Sequence, residues 1–199
     1  MACTLDQSQA TGSITGVFGL AVSIGYQGNQ FIPSTTGTLC RIDCTLRLVG
    51  SPTDAVSMKV YIDNGADQTG SLVATSTNTI PYTGLTTTLT TKTFTFTSGI
   101  VNAGTKYWWV VYRTGSNDGT NYYGAGYSSS NPYASGLRGR GALGAFTSYA
   151  TDDMYFAQYS EPSAGGNLKS YNTNLMANIK TINTNPIANI KTLNTNTLI

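Results

Sequence analysis

"AVSMKVYID", residues 55–63, sets Val56, Met58, Val60 and Ile62 on one side of an extended chain and Ser57, Lys59, Tyr61 and Asp63 on the other. Side chains that alternate with a period of two belong to a β-strand with one face in a core. The flanking sequence extends the pattern. "DNGADQTG" (63–70) is turn-rich, and "SLVATSTNTI" (71–80) supplies the next strand. "TTLTTKTFTFTS" (87–98) has β-branched and aromatic strand content, and "GTKYWWVVYRTG" (104–115) is the most apolar segment. A long stretch at 115–144, rich in Gly, Ser, Asn and Tyr, reads as irregular, and "MYFAQYS" (154–160) closes the series. With no helical periodicity, seven to nine short strands punctuated by Gly, Asn, Pro and Ser predict an all-β, antiparallel β-sandwich.

The composition narrows the chemistry. Only 10% of the 199 residues are charged, and there is no histidine, against a usual charged fraction of about a quarter. Without His there is no Ser-His-Asp or Cys-His machinery and no imidazole metal ligand. Glu161 is the sole glutamate, so a carboxylate pair would have to be built from Asp alone. No enzyme and no cofactor are expected. The apolar run "ITGVFGLAVSI" (14–24) lacks a basic region before it and a small-residue cleavage site after it. It is too short to span a bilayer and reads as a glycine-bearing strand, so neither a signal peptide nor a membrane span is expected.

Three cysteines make neither a disulfide framework nor a metal site. In "CRIDCTLRL" (40–48), Cys40, Ile42, Cys44, Leu46 and Leu48 fall on every second position. Cys40 and Cys44 are therefore expected on one buried face, about 13 Å apart, too far to bridge each other. Cys3 is left to bridge to either in an oxidising compartment, and the disulfide state stays open.

"SEPSAGG" (160–166) has linker composition and separates a head domain, 1–159, from a tail, 167–199. Of 11 Lys and Arg, three (Lys169, Lys180, Lys191) stand in the tail, which carries no acid; the preceding residues hold eight against all nine acids. The tail is three copies of an 11-residue unit: NLKSYNTNLMA, NIKTINTNPIA and NIKTLNTNTLI. Its apolar positions are Leu168, Ile179 and Ile190, then Tyr171, Ile182 and Leu193, then Met176, Ile187 and Leu198. Pro186 and the Asn-Thr-Asn runs oppose a hendecad coiled coil. An extended β-repeat with apolar residues on both faces needs other chains to cover it, which predicts a homo-oligomer, a trimer or a filament.

The order of the head's motifs resembles a known family. "GTLCRIDCTLRLVGSPTDAVSMKVYIDNG", "GSLVATS", "TFTFTSGIVNAGTKYWWVVY", "NYYGAGYSSSNPYASG" and "DDMYFAQYS" are similar to the β-sandwich domains called choice-of-anchor R. The resemblance covers about residues 30–159. It implies a jelly-roll module, like a carbohydrate-binding module in outline, of the kind carried by bacterial surface proteins and phage virion proteins. It brings no catalytic residue. The tail units resemble terminal repeats of phage and environmental bacterial proteins, in which Asn-Gly often stands where this chain has Asn-Thr-Asn.

Glycan-binding candidates follow from the aromatic and Arg content: Trp109, Tyr122, Tyr123, Tyr127 and Tyr133 to stack on sugar rings, and Arg138 and Arg140 to bind hydroxyls. In a regular strand, one indole of the Trp108–Trp109 pair points outward. The competing reading is a strand covered on both faces. Asp63 and Asp67, with Asn64, are weak Ca²⁺ candidates, as are Asp152 and Asp153; Asp-Asn-Gly is first a turn signal. Two arginines in a nearly neutral head give no footprint for nucleic acid. The sum predicts a non-enzymatic virion protein, of decoration or fibre type, with other virion or surface proteins as partners. It would be displayed at the virion or cell surface, its head outward and its tail assembling. A subunit of an extracellular filament, or a glycan-binding module for cell-surface glycan, is the alternative.

Overall fold

A computed structural model of the chain describes residues 2–10 and 13–163. The three tail repeats, with every assembly residue from Leu168 to Leu198, lie outside the described residues. The described part is a β-sandwich of two antiparallel sheets. Its strands are β1 (Thr4–Gln9), β2 (Ile14–Phe18), β3 (Tyr26–Phe31), β4 (Gly37–Val49), β5 (Ala55–Asp63), β6 (Thr69–Thr75), β7 (Ile80–Pro81) and β8 (Thr90–Thr95). There follow β9 (Ile100–Val101), β10 (Tyr107–Arg113), β11 (Tyr122–Ser128), β12 (Arg138–Ala142), β13 (Ala145–Tyr149), β14 (Asp153–Met154) and β15 (Phe156–Pro162). The expectation of seven to nine strands was low because several are only two residues long and because the stretch read as irregular contains β11 and β12.

The long β4 is the spine of the first sheet. β8 and β9 pair along one edge of it, and β15 and β11 lie end to end along the other. β1 then pairs with β15 and β2 with β11. The second sheet runs β13-β12-β3-β10-β5-β6, with β7 on β5. The expected alternation of β5 places Val56, Met58 and Val60 in the core at 0% exposure, whereas Ile62 is 36% exposed. Ile62 keeps the expected face, opposite core-facing Tyr107 in the unbroken β5–β10 ladder, but lies next to the end of β5 where the core thins.

β10 is covered on both faces. Tyr107, Trp109 and Val111 face the other sheet within the main core, which also holds Phe31, Met58 and Phe156. Trp108 and Val110 face the opposite way and meet Tyr61 and Phe146 in a second, smaller core edged by Tyr26, Leu137 and Leu143. Gly139 on β12 permits this second layer: a Cβ there would lie 2.7 Å from ring atoms of both Phe146 and Trp108. The Phe146 ring meets Trp108 edge-on at 5.3 Å. Burying each indole is worth about 5 kcal/mol, taking about 200 Å² at ~25 cal/mol/Å².

Side chains occupy the sheet edges. On β8, Asn78 takes the Thr95 N–H (2.8 Å) and donates to the Thr93 carbonyl (2.9 Å). On β13, the Gln68 amide accepts the Phe146 N–H and donates to the Phe146 carbonyl (2.9 Å). β1 and β6 carry irregularities in their ladders, and the Asp6 carboxylate accepts the Ser34 N–H at 3.1 Å. Bulges and occupied edge groups of this kind oppose strand addition from another molecule.

Two expectations are corrected. Cys40 does not share the core face with Cys44. The ladder pairs Tyr159 with Arg41 and Ser160 with Leu39, which leaves Cys40 as the extra residue of a bulge, and Leu39 enters the core instead. Cys40, half-buried, bridges to Cys3 with a Cα–Cα distance of 6.2 Å, while Cys44 is a fully buried free thiol. The head also continues past residue 159: β15 and the compact unit both run through Pro162, so residues 160–162 of the expected linker are sheet.

The disulfide closes a loop with a sequence separation of 37, which stabilises the fold by about 3–4 kcal/mol on the chain-entropy account. Cys3→Ser should lower the stability measured by urea unfolding by about that amount. Burial raises the pKa of the Cys44 thiol far above the ordinary range, Asp43 adding to the effect, so a thiol reagent should leave Cys44 unmodified until the chain unfolds.

Candidate functional site

The aromatic and basic residues singled out in the sequence are mostly structural. Trp109 is 0% exposed and packs against Phe156, so it presents no face to a ligand. Tyr123, also 0% exposed, donates its hydroxyl to the Asp54 carbonyl at 2.7 Å. Tyr133 accepts the Ile32 N–H, donates to the Gln7 side chain and meets Phe156 edge-on. Arg138 is buried against Asp152 (2.6 Å), its guanidinium 4.1 Å from the ring centroids of both Tyr127 and Tyr149. Arg140 donates to the Tyr149 hydroxyl at 3.2 Å. Tyr122 is a half-buried member of the β11–β4 ladder. These residues hold β11, β12 and β13 to the body of the sandwich, and none of them lines the cleft described below.

The weak calcium candidates are similarly engaged. Asp63 accepts from the Trp108 indole (2.8 Å), the Gln30 amide (3.0 Å) and the Gly65 N–H (2.7 Å). Asp67 accepts from Gln30 and from Lys106, both at 2.9 Å. Arg138 takes up Asp152, and Asn29 and the Tyr133 N–H take up Asp153. Carboxylates satisfied by N–H donors and a lysine are not arranged as cation ligands. Among the described residues no cluster of three or more His, Cys, Asp or Glu is placed to hold a metal.

An open cleft lies elsewhere, at one end of the second sheet. Its volume is about 310 Å³, and its walls come from Val22, Gly25 and Tyr26, from Tyr112, Arg113, Gly115, Ser116 and Asn117, and from Ala142 at the end of β12. Tyr26 and Tyr112 are direct partners in the β3–β10 ladder. Their rings project together with centroids 5.6 Å apart and planes at 36°. Val22, in a short 3-10 turn (Val22–Ile24), is 80% exposed at the rim, and Asn117 and Ser116 are exposed on the facing loop. Tyr112 shares the outer face of β10 with Trp108 and Val110, beyond the end of the small core that covers them.

A buried ion pair fixes one wall. Arg113 makes two hydrogen bonds to the Asp54 carboxylate, at 2.8 and 2.9 Å, and donates to the carbonyls of Gly19 and Asn121. The side chains are 8% and 15% exposed. Burial pushes the Asp54 carboxyl upward, but hydrogen bonds from Arg113, Gly115 and Tyr123 outweigh it and hold the group below the usual carboxylate range. Arg113 thus spans the two loops that border the cleft and positions the wall.

The cleft residues carry little sequence signal. Gln27 and Asn29 are core-facing at 0% exposure, so β3 reads as polar and Tyr26 is not marked as the outward member of a strand. Tyr112 could have been found from "YWWVVYR", because Trp108, Val110 and Tyr112 share a face.

No family model and no curated protein matches the chain. Solved structures with a similar arrangement include a family 6 carbohydrate-binding module, CsCBM6-3 from Clostridium stercorarium in complex with cellobiose. It is 14% identical over 61% of this chain and 83% of that one, with a TM-score of 0.30. Another is a chain of infectious bursal disease virus, Gx strain, 11% identical over 82% of this chain and 34% of that one, with a TM-score of 0.26.

Breaking the wall pair should leave an uncompensated buried charge. Arg113→Met is expected to cost about 3 kcal/mol in urea unfolding. Because the folded pKa of Asp54 is depressed, its contribution is present above the unfolded Asp pKa and is lost as pH falls through the folded value. Asp54→Asn should therefore flatten the acid limb of the stability–pH curve.

Proposed function

We propose that this is a non-enzymatic adhesion protein displayed on a phage virion, as a decoration or fibre subunit. Its sandwich head contacts a glycan through the Tyr26–Tyr112 cleft, and the repeats at 167–199 join it to other chains. The observation that carries this reading is the cleft itself: two adjacent tyrosines at a loop-built end of a sheet, with an exposed amide and hydroxyl facing them. Aromatic rings supply the apolar face that a pyranose ring stacks on, and side chains such as Asn117 and Ser116 satisfy its hydroxyls. A volume of about 310 Å³ is at the small end of ligand pockets, about 300–1,000 Å³, which suits one or two sugar residues.

The occupied sheet edges support the division of labour, since a head that resists strand addition leaves assembly to the tail. The Cys3–Cys40 disulfide favours a second reading, a subunit of an extracellular filament, because such bonds persist in oxidising surroundings. No helix among the described residues is long and apolar enough to cross a membrane.

Two experiments test the halves separately. Retention on a glycan array should be lost in Tyr112→Ala and kept in Tyr122→Ala; the reverse pattern would move the site back to β11. By light scattering, a chain ending at Ser163 should be monomeric and the full chain oligomeric, with Ile182→Asp weakening assembly while the head's thermal transition stays put. Equal sizes for the two chains would remove the tail from assembly.

A further inference from the structure

On the glycan-site reading of the cleft, the charges around it narrow what the glycan carries. Tyr112 stands between Tyr26 on β3 and Lys59 on β5, the strands on either side of β10. The Lys59 ammonium lies 5.0 Å from the centroid of the Tyr112 ring. Lys59 is half-buried, and among the described residues no carboxylate forms an ion pair with it, the four pairs there being Arg41–Asp43, Lys106–Asp67, Arg113–Asp54 and Arg138–Asp152.

The acids nearest the cleft are already taken up. Asp54 is clamped by Arg113. Asp118 accepts the N–H groups of Thr120 and Asn121 and the Asn121 side-chain amide, which turn its oxygens toward its own loop. The ammonium resting on Tyr112 is a cation beside the cleft with no ion-pair partner among the described residues. An ammonium held on an aromatic face is oriented before any ligand arrives, and partial burial reduces the screening of its field.

We infer that the cleft takes a glycan bearing an anionic substituent, a carboxylate or a phosphate, whose charge is met by Lys59 while the sugar ring lies against Tyr26 and Tyr112. The ring contact supplies affinity and the ammonium supplies selection. A neutral sugar of the same shape gains only the first.

The test uses the full chain and calorimetric titration at low ionic strength. Three probes are compared: a neutral trisaccharide, its uronate counterpart and the same trisaccharide carrying a phosphate monoester. The expected result is that at least one acidic probe binds about fivefold tighter than the neutral one, as for a partly screened ion pair, and that the gap closes as salt is raised. Lys59→Gln should abolish the preference, and Lys59→Arg should retain it. Whichever acidic probe shows the preference identifies the substituent. Equal affinities, or a preference that survives in Lys59→Gln, would overturn the anionic assignment and leave the cleft as a neutral-sugar site provided Tyr112→Ala abolishes binding. Failure of all three probes to bind would overturn both readings.

Discussion

The coverage of β10 on both faces is the constraint from which the rest of the head follows. One face of Tyr107–Arg113 belongs to the core between the sheets, and the other is closed by Phe146, Tyr61 and their neighbours. That second layer exists because Gly139 lets β12 and β13 approach Trp108 and because Gln68 ties its side-chain amide to Phe146. The Trp108 indole N–H is satisfied by the Asp63 carboxylate, which ties the second layer to the end of β5. The covered region ends at Tyr112, where the loops at 19–25 and 113–117 rise and leave a cleft.

Much of the fold is legible in the sequence where burial is one-sided. β5 declares itself through Val56, Met58 and Val60, and β4 through Ile42, Cys44 and Leu46. Alternation loses phase at bulges, which no local pattern announces: Cys40 left its expected face where the ladder with β15 shifts register. The site was less legible because the most conspicuous aromatic and cationic residues are conspicuous for packing. Arg138 between Tyr127 and Tyr149 would look like a ligand-binding trio in any sequence, yet its charge is spent on Asp152. The residues that line the cleft are brought together from β3, β10, β12 and two loops, a juxtaposition created by strand order and absent from any short motif.

A consistent physical picture joins the edges, the disulfide and the cleft. Asn78 and Gln68 occupy backbone groups that would otherwise accept a foreign strand. The Cys3 bridge pins the start of β1, an edge strand whose Leu5 is 54% exposed and which buries little apolar surface. The head thus has side chains engaging edge groups of β8 and β13 and an open cleft at one loop-built end. Both indoles are spent on the core, and the walls of the cleft present tyrosines, an amide and a hydroxyl instead.

The accessibility of the tryptophans tests that central claim most directly. Acrylamide quenching of Trp108 and Trp109 fluorescence in the native protein should be slow for both, with blue-shifted emission, and should rise to the unfolded rate only through the urea transition. A native component quenched at the rate of exposed indole would contradict the account, since it would mean that one face of β10 is open and that an indole is available to a ligand.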